Sequence, residues 1–111
     1  MSQSMQSVVL NAGKTSLKVD FIHTKKAALI LRSINHKLRQ QIIKLLDDQQ
    51  KMTVTEIYVK LRLEQSVASQ HLAILRRAGI VSTSRDGKFI YYSVNYSRLA
   101  EVVSFVETLV G

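Results

Sequence analysis

The chain has 111 residues, the length of one small domain, and 46% of them are hydrophobic, enough for a compact but modest core. Sixteen Lys and Arg against eight Asp and Glu give a formal net charge of +8, which favours a polyanionic partner, either nucleic acid or an acidic membrane. The sequence contains no cysteine, which excludes disulfides, thiolate metal sites and thiol redox sensing.

The positive charge is unevenly spread. Residues 21–50 carry six basic and two acidic groups, residues 51–80 five and two, and residues 97–111 one and two. The basic surface therefore belongs to the middle of the chain, and the C-terminal segment is not the face that meets a polyanion. No signal-peptide pattern is present, and no apolar run approaches transmembrane length. A cytoplasmic location without a membrane partner is the expectation.

Residues 1–20 are rich in Ser, Gln and Asn and lack steady periodicity. They are expected to form a flexible N-terminal tail ahead of a folded domain over residues 21–111. Residues 21–34 include Phe21, Ile22, Leu29, Ile30, Leu31 and Ile34, which predicts a helix with an apolar arc too wide for a simple surface helix. Asn35 is placed to cap the next helix. There Leu38, Ile42, Leu45 and Leu46 recur at i, i+4, i+7 and i+8 and define one buried face, and Asp47-Asp48 and the following glutamines end it. Thr53-Val54-Thr55-Glu56 has capping-box spacing and predicts a short helix running to Leu61. A tight turn through Arg62-Leu63-Glu64 leads to a longer helix, Gln65 to Ala78, with Gly79 at its C-terminal cap. Ile80–Arg85 and Lys88–Val94 are β-prone runs separated by Asp86-Gly87, a strong hairpin signal. A last helix spans Ser97–Val110, apolar over most of its circumference, with a narrow polar stripe of Glu101, Ser104 and Thr108.

This order, α-α-α-α-β-β-α, predicts a mainly α fold with a β-hairpin wing, the winged helix-turn-helix. A helix of this kind fits the major groove of DNA, and a hairpin beside it reaches the backbone or the minor groove. On a wheel of about 100° per residue, Gln65, Ser66, Ser69, Gln70, Ala73, Arg76 and Arg77 occupy one arc, and Val67, Ala68, His71, Leu72, Ile74, Leu75 and Ala78 the other. Ordinary solvated helix faces are rich in Glu and Lys, and this polar arc has neither. Amides and hydroxyls read base edges, and arginine binds guanine or phosphate. Base reading is assigned to Gln65, Ser66 and Gln70, backbone or base contact to Ser69, and phosphate contact to Arg76 and Arg77. Arg85 and Lys88 flank the wing turn and are expected to hold it on the DNA.

Residues 64–81, from Glu64 to Val81, resemble the recognition segment of the ArsR family of bacterial repressors. Arg85–Ser93 resembles that family's wing, and Arg39–Leu46 its second helix. The resemblance covers roughly residues 25–110. It implies a dimer built from the first and last helices, an operator with two-fold symmetry, and repression of transcription. The family usually has a small residue where this chain has Arg62, and Ser at the recognition-helix cap where it has Glu64.

The first and last helices are apolar over more of their circumference than one core needs. An isologous homodimer through Leu29, Ile30, Leu99, Val102, Val103, Val106 and Leu109 would cover the surplus. Many members of the family sense metals, but the matching stretches here, Thr55–Val59, Asn95–Arg98 and Phe105–Thr108, contain neither Cys nor His. No metal or other cofactor is expected, and the signal is an unusual effector such as an organic ligand, or none. His23, His36 and His71 lack ligand spacing, and His71 is expected to be partly buried and hydrogen-bonded. No catalytic grouping is visible, so an enzyme is not expected. The competing reading is a winged-helix protein-interaction module without specific DNA binding, which would more often show an exposed apolar patch where the Gln65–Arg77 face lies. RNA is disfavoured because the A-form major groove excludes a helix and no aromatic platform is present.

Overall fold

A computed structural model describes residues 5–111. Its elements in chain order are β1 (Ser7–Ala12), β2 (Thr15–Asp20), α1 (Phe21–Ile34), α2 (Lys37–Gln49), α3 (Val54–Leu61), α4 (Gln65–Arg77), β3 (Val81–Asp86), β4 (Phe89–Val94) and α5 (Tyr96–Val110). The predicted helices and wing are all present, in the predicted order. Two antiparallel hairpins, β1–β2 and β3–β4, form separate two-stranded sheets.

The first hairpin departs from the sequence expectation. Residues 7–20, read as a flexible tail, pair in register from Ser7 opposite Asp20 to Ala12 opposite Thr15, while residues 1–4 of the expected tail lie outside the described residues. The loop is Gly13-Lys14, and Gly13 takes φ +70°, as the first position of a tight two-residue turn requires. Asp20 then joins this hairpin to α1: its carboxylate accepts the backbone N–H groups of Ile22 at 3.0 Å and His23 at 3.2 Å. The His23 N–H bond is the main cause that holds the Asp20 carboxyl below its usual range.

Ile42, Leu46, Ile57, Leu72, Leu75 and Ile80 are wholly buried, so α2, α3, α4 and the start of the wing share one core. The side chains that were legible as an apolar face of α2 supply its centre. Thr53 and Glu56 form the expected capping box, with the Glu56 N–H donating to Thr53 Oγ1 at 3.2 Å and the Thr53 N–H to Glu56 Oε1 at 3.0 Å. The α2 cap lies one residue beyond the expected Asn35. His36 takes that position, its Nδ1 accepting from the Leu38 N–H at 3.1 Å, while Asn35 closes α1. Asn95 caps α5, which therefore begins at Tyr96, and Tyr96 Oη donates to Asp47 Oδ1 at 2.6 Å to tie α5 to α2.

Arg39 is a buried cation that joins three helices. Its Nε donates to the Ser33 carbonyl, its Nη2 to the Arg32 carbonyl at 3.1 Å, and its Nη1 to His71 Nδ1 at 3.1 Å. A guanidinium on the C-terminal carbonyls of α1 is favourable for the helix dipole, and these three acceptors compensate its loss of water. Because arginine only donates, His71 Nδ1 accepts, and the neutral ring carries its proton on Nε2. Burial, then the neighbouring His36 and Arg39, hold the His71 imidazole below its ordinary pKa.

This arrangement gives a pH dependence with a definite sign. The unfolded chain protonates His71 near pH 6.5, whereas the folded chain resists until lower pH, so its stabilising contribution is present above about pH 6.5 and lost as pH falls through the folded value. Urea unfolding at pH 7.5 and 5.5 checks this. The loss of stability on acidification is expected to be smaller in His71→Gln, whose amide oxygen still accepts from Arg39. An unchanged or larger loss would assign the effect elsewhere.

Candidate nucleic-acid interface

Helix α4 begins without a side-chain cap, since Glu64 makes no capping bond. The preceding turn runs through Arg62, which adopts φ +56° and ψ +48°. A left-handed residue reverses the chain within a few positions and sets α4 across α3. A glycine would take this conformation at less cost than arginine. At the other end Gly79, with φ +77°, closes α4: its N–H donates to the Arg76 carbonyl at 3.0 Å and the Ile80 N–H to the Leu75 carbonyl at 2.9 Å. That double bond pattern is the Schellman motif, and it directs the chain into β3.

Between these stops, the structure divides α4 as the wheel predicts. Ala68, Leu72 and Leu75 are buried and Val67, His71 and Ile74 are half-buried, while Gln65, Ser66, Ser69, Gln70, Ala73, Arg76 and Arg77 are all exposed. The exposed strip carries no carboxylate over its whole length. Among the described residues none of the ion pairs engages Arg76, Arg77, Arg85 or Lys88, so their charges are not neutralised within the chain. Ser69, Ala73, Arg76 and Arg77 line a depression with Tyr92 of β4, which places the helix strip and the wing side by side.

The wing turn differs by one residue from the expected Asp86-Gly87. Asp86 pairs with Phe89, and the loop is Gly87-Lys88, with Gly87 at φ +62°. Glycine at the first loop position suits a two-residue turn of the same kind as Gly13-Lys14. Lys88 therefore sits at the tip rather than in the strand, its Nζ lying 5.4 Å from the Phe89 ring centroid. Arg85 Nε donates to the Gly87 carbonyl at 3.1 Å, which braces the same tip. Tyr92 packs on the core and exchanges backbone bonds with Met52 at 3.1 and 2.7 Å, anchoring the wing base. Tyr91, on the other face of β4, is half-buried, with Lys51 Nζ 4.8 Å from its ring centroid. Lys51 is a wing-side cation that sequence reasoning missed, because it lies in the loop after α2, far from the wing in sequence.

The assembled surface is an uncapped polar helix strip beside a cation-tipped hairpin, and it matches known proteins. The model for the family described as "Bacterial regulatory protein, arsR family" matches residues 36–83. The transcriptional activator HlyU of Vibrio cholerae is 31% identical over 87 residues, covering 78% of this chain and 80% of that protein. This chain belongs to the arsR family. The solved structure of HlyU from Vibrio cholerae has a TM-score of 0.61 at 34% identity, over 78% of this chain and 90% of that one. The transcriptional repressor PagR of Bacillus anthracis gives a TM-score of 0.62 at 30% identity, over 81% of this chain and 99% of that one. As an arsR-family member the chain is a DNA-binding transcription regulator with a winged-helix fold. Its matched segment runs from the α2 cap to β3 and so contains the whole of α4.

The residues expected at a dimer interface divide into three groups. Leu29 on α1 and Val103 and Leu109 on α5 are exposed at 52%, 50% and 67%. Ile30, Leu99 and Val106 are half-buried against the core. Val102 is 7% exposed and belongs to the chain's own core, so it has little side chain left to offer a partner. Phe105 and Val110, outside the expected set, are also exposed. Among the described residues no cluster of three or more His, Asp or Glu is placed to hold a metal ion, and no helix is long and apolar enough to cross a membrane.

Proposed function

We propose that this arsR-family chain is a repressor that binds, as a homodimer, a two-fold symmetric DNA site. The observation that carries this reading is the exposed strip of α4, seven residues of amide, hydroxyl, methyl and guanidinium without one carboxylate. Gln65, Ser66 and Gln70 lie near the helix N-terminus, where a recognition helix enters the major groove, and read base edges. Ser69 contacts base or backbone. Arg76 and Arg77 lie two to three turns further on and meet phosphate, while Arg85 and Lys88 hold the wing on the backbone or minor groove. The dimer forms through the exposed apolar side chains of α1 and α5, which a lone chain would leave in water. Repression is the direction in which PagR is named, whereas HlyU is named an activator. A protein seated on promoter DNA blocks polymerase unless it also makes contacts that recruit it.

The test is selection of bound duplexes from a random library by the purified protein. The expected result is an inverted repeat whose half-sites lie about one helical turn, or a multiple of it, apart. A pool without any enriched sequence would favour the interaction-module alternative. A single unrepeated half-site would contradict the dimer.

A further inference from the structure

Adjoining the α4–wing surface at Arg77, a hollow lies where α1, the C-terminal end of α4 and the start of α5 meet. It is a pocket of about 410 Å³, within the roughly 300–1,000 Å³ typical of small-molecule sites. Leu29, Ile30 and Ile74 give it an apolar floor, and Lys26, Arg77 and Arg98 stand around it. No acidic side chain lines it. Glu101, 3.8 Å from Arg98 Nη1, is 70% exposed and lines the neighbouring groove with Phe105. Lys26 and Arg77 take part in none of the ion pairs among the described residues. Gly79 makes room for the third cation, since a Cβ there would stand 3.1 Å from Arg98 Nε.

Three elements bring three cations to one apolar floor, and only Arg98 has an acidic partner, the exposed Glu101, so the pocket favours an anion. A metal ion would meet positive charge and find no carboxylate or imidazole. A neutral apolar molecule would cover the floor and leave Lys26 and Arg77 without partners. We infer that this pocket binds a small organic anion, with a carboxylate head among Lys26, Arg77 and Arg98 and an apolar body on Ile30 and Ile74. Arg77 lines both this pocket and the depression beside the wing. An anion that engages Arg77 therefore withdraws a cation from the DNA face, and ligand and DNA weaken each other by the same factor. This coupling rests on the DNA-binding reading above; binding of the anion does not.

Calorimetry of the full chain without DNA, using sodium decanoate below its micellar concentration, tests the pocket. Saturable binding of one decanoate per chain is expected, with decanol and decylammonium failing to compete. Lys26→Gln and Arg98→Gln should each weaken it about tenfold or more, as loss of a charged hydrogen bond does, with unchanged circular dichroism. Absence of saturable binding, equal binding of decanol, or full affinity in both variants would overturn the proposal. Binding only to Val103→Glu protein would overturn it too, by showing that a second copy of the chain covers the pocket. With a selected duplex, saturating decanoate should lower DNA affinity about fivefold or more. Tight decanoate binding with unchanged DNA affinity would sink the coupling through Arg77 and leave the DNA-binding reading intact.

Discussion

Val103→Glu is expected to yield folded monomers whose affinity for the selected inverted repeat has dropped about a hundredfold or more. The size follows from linkage of two half-site contacts: tethering a second binding event raises overall affinity by about 10²–10⁴, and a monomer forfeits that gain. Val103 is the informative position because half of its surface is exposed in the single chain, on the flank of the stripe by which Leu99, Val102 and Val106 pack on the core. A carboxylate there stays in water in the monomer and would be buried unpaired in the dimer, an unfavourable exchange. The same change at Val102 would enter the protomer core and unfold it, and Val106 would give a mixed result. Sedimentation and circular dichroism together separate these cases. A Val103→Glu protein that remains dimeric would remove this flank of α5 from the interface.

The second large effect concerns how α4 and the wing share recognition. Gln70→Ala should cost about 1–3 kcal/mol on the cognate duplex and little on a scrambled one, because a bidentate amide contact discriminates between bases. Lys88→Ala should weaken both duplexes alike and lower the salt slope by about 1 per half-site, since a phosphate contact acts through counterion release. The geometry supports the contrast. Gln70 is exposed on the second turn of α4, whereas Lys88 sits at the tip of a two-residue turn with its ammonium over Phe89. Titration of both duplexes at several salt concentrations checks it. Equal loss on both duplexes for Gln70→Ala, with altered preference for Lys88→Ala, would reverse the assignment.

Much of this arrangement was legible in the residues. Helices α2 to α4 carry their faces and stops in the chain itself: the i, i+4, i+7, i+8 leucine and isoleucine pattern, the Thr53–Glu56 box, and Gly79. The less legible parts have physical reasons. The β1–β2 hairpin has Ser, Gln and Asn around short apolar pairs, and only the Gly13-Lys14 turn hints at it. The wing turn shifted by one residue because glycine at the first loop position serves a two-residue turn as well as Asp-Gly does. The burial of Arg39 is not legible in the sequence because a charged residue counts as surface in a helical pattern, and its partners, the Arg32 and Ser33 carbonyls and His71, are supplied by tertiary packing. Val102 and Val103 are adjacent valines of equal hydrophobicity. Which one enters the core depends on where α5 rests, a fact of docking and not of composition.

The proposed DNA contact stands or falls on whether α4 lies in the major groove with its N-terminal end against the bases. The chain has no cysteine, so one introduced thiol is a unique attachment point. Glu64 is exposed at the start of α4 and makes no capping bond, which suits it to carry a label without removing a contact assigned to DNA. Glu64→Cys bearing an iron–EDTA cleaving group, bound to the selected duplex, should cut in two clusters, one within each half-site, about one helical turn apart. Cleavage spread evenly along the duplex, or confined to its flanks outside the half-sites, would contradict the account.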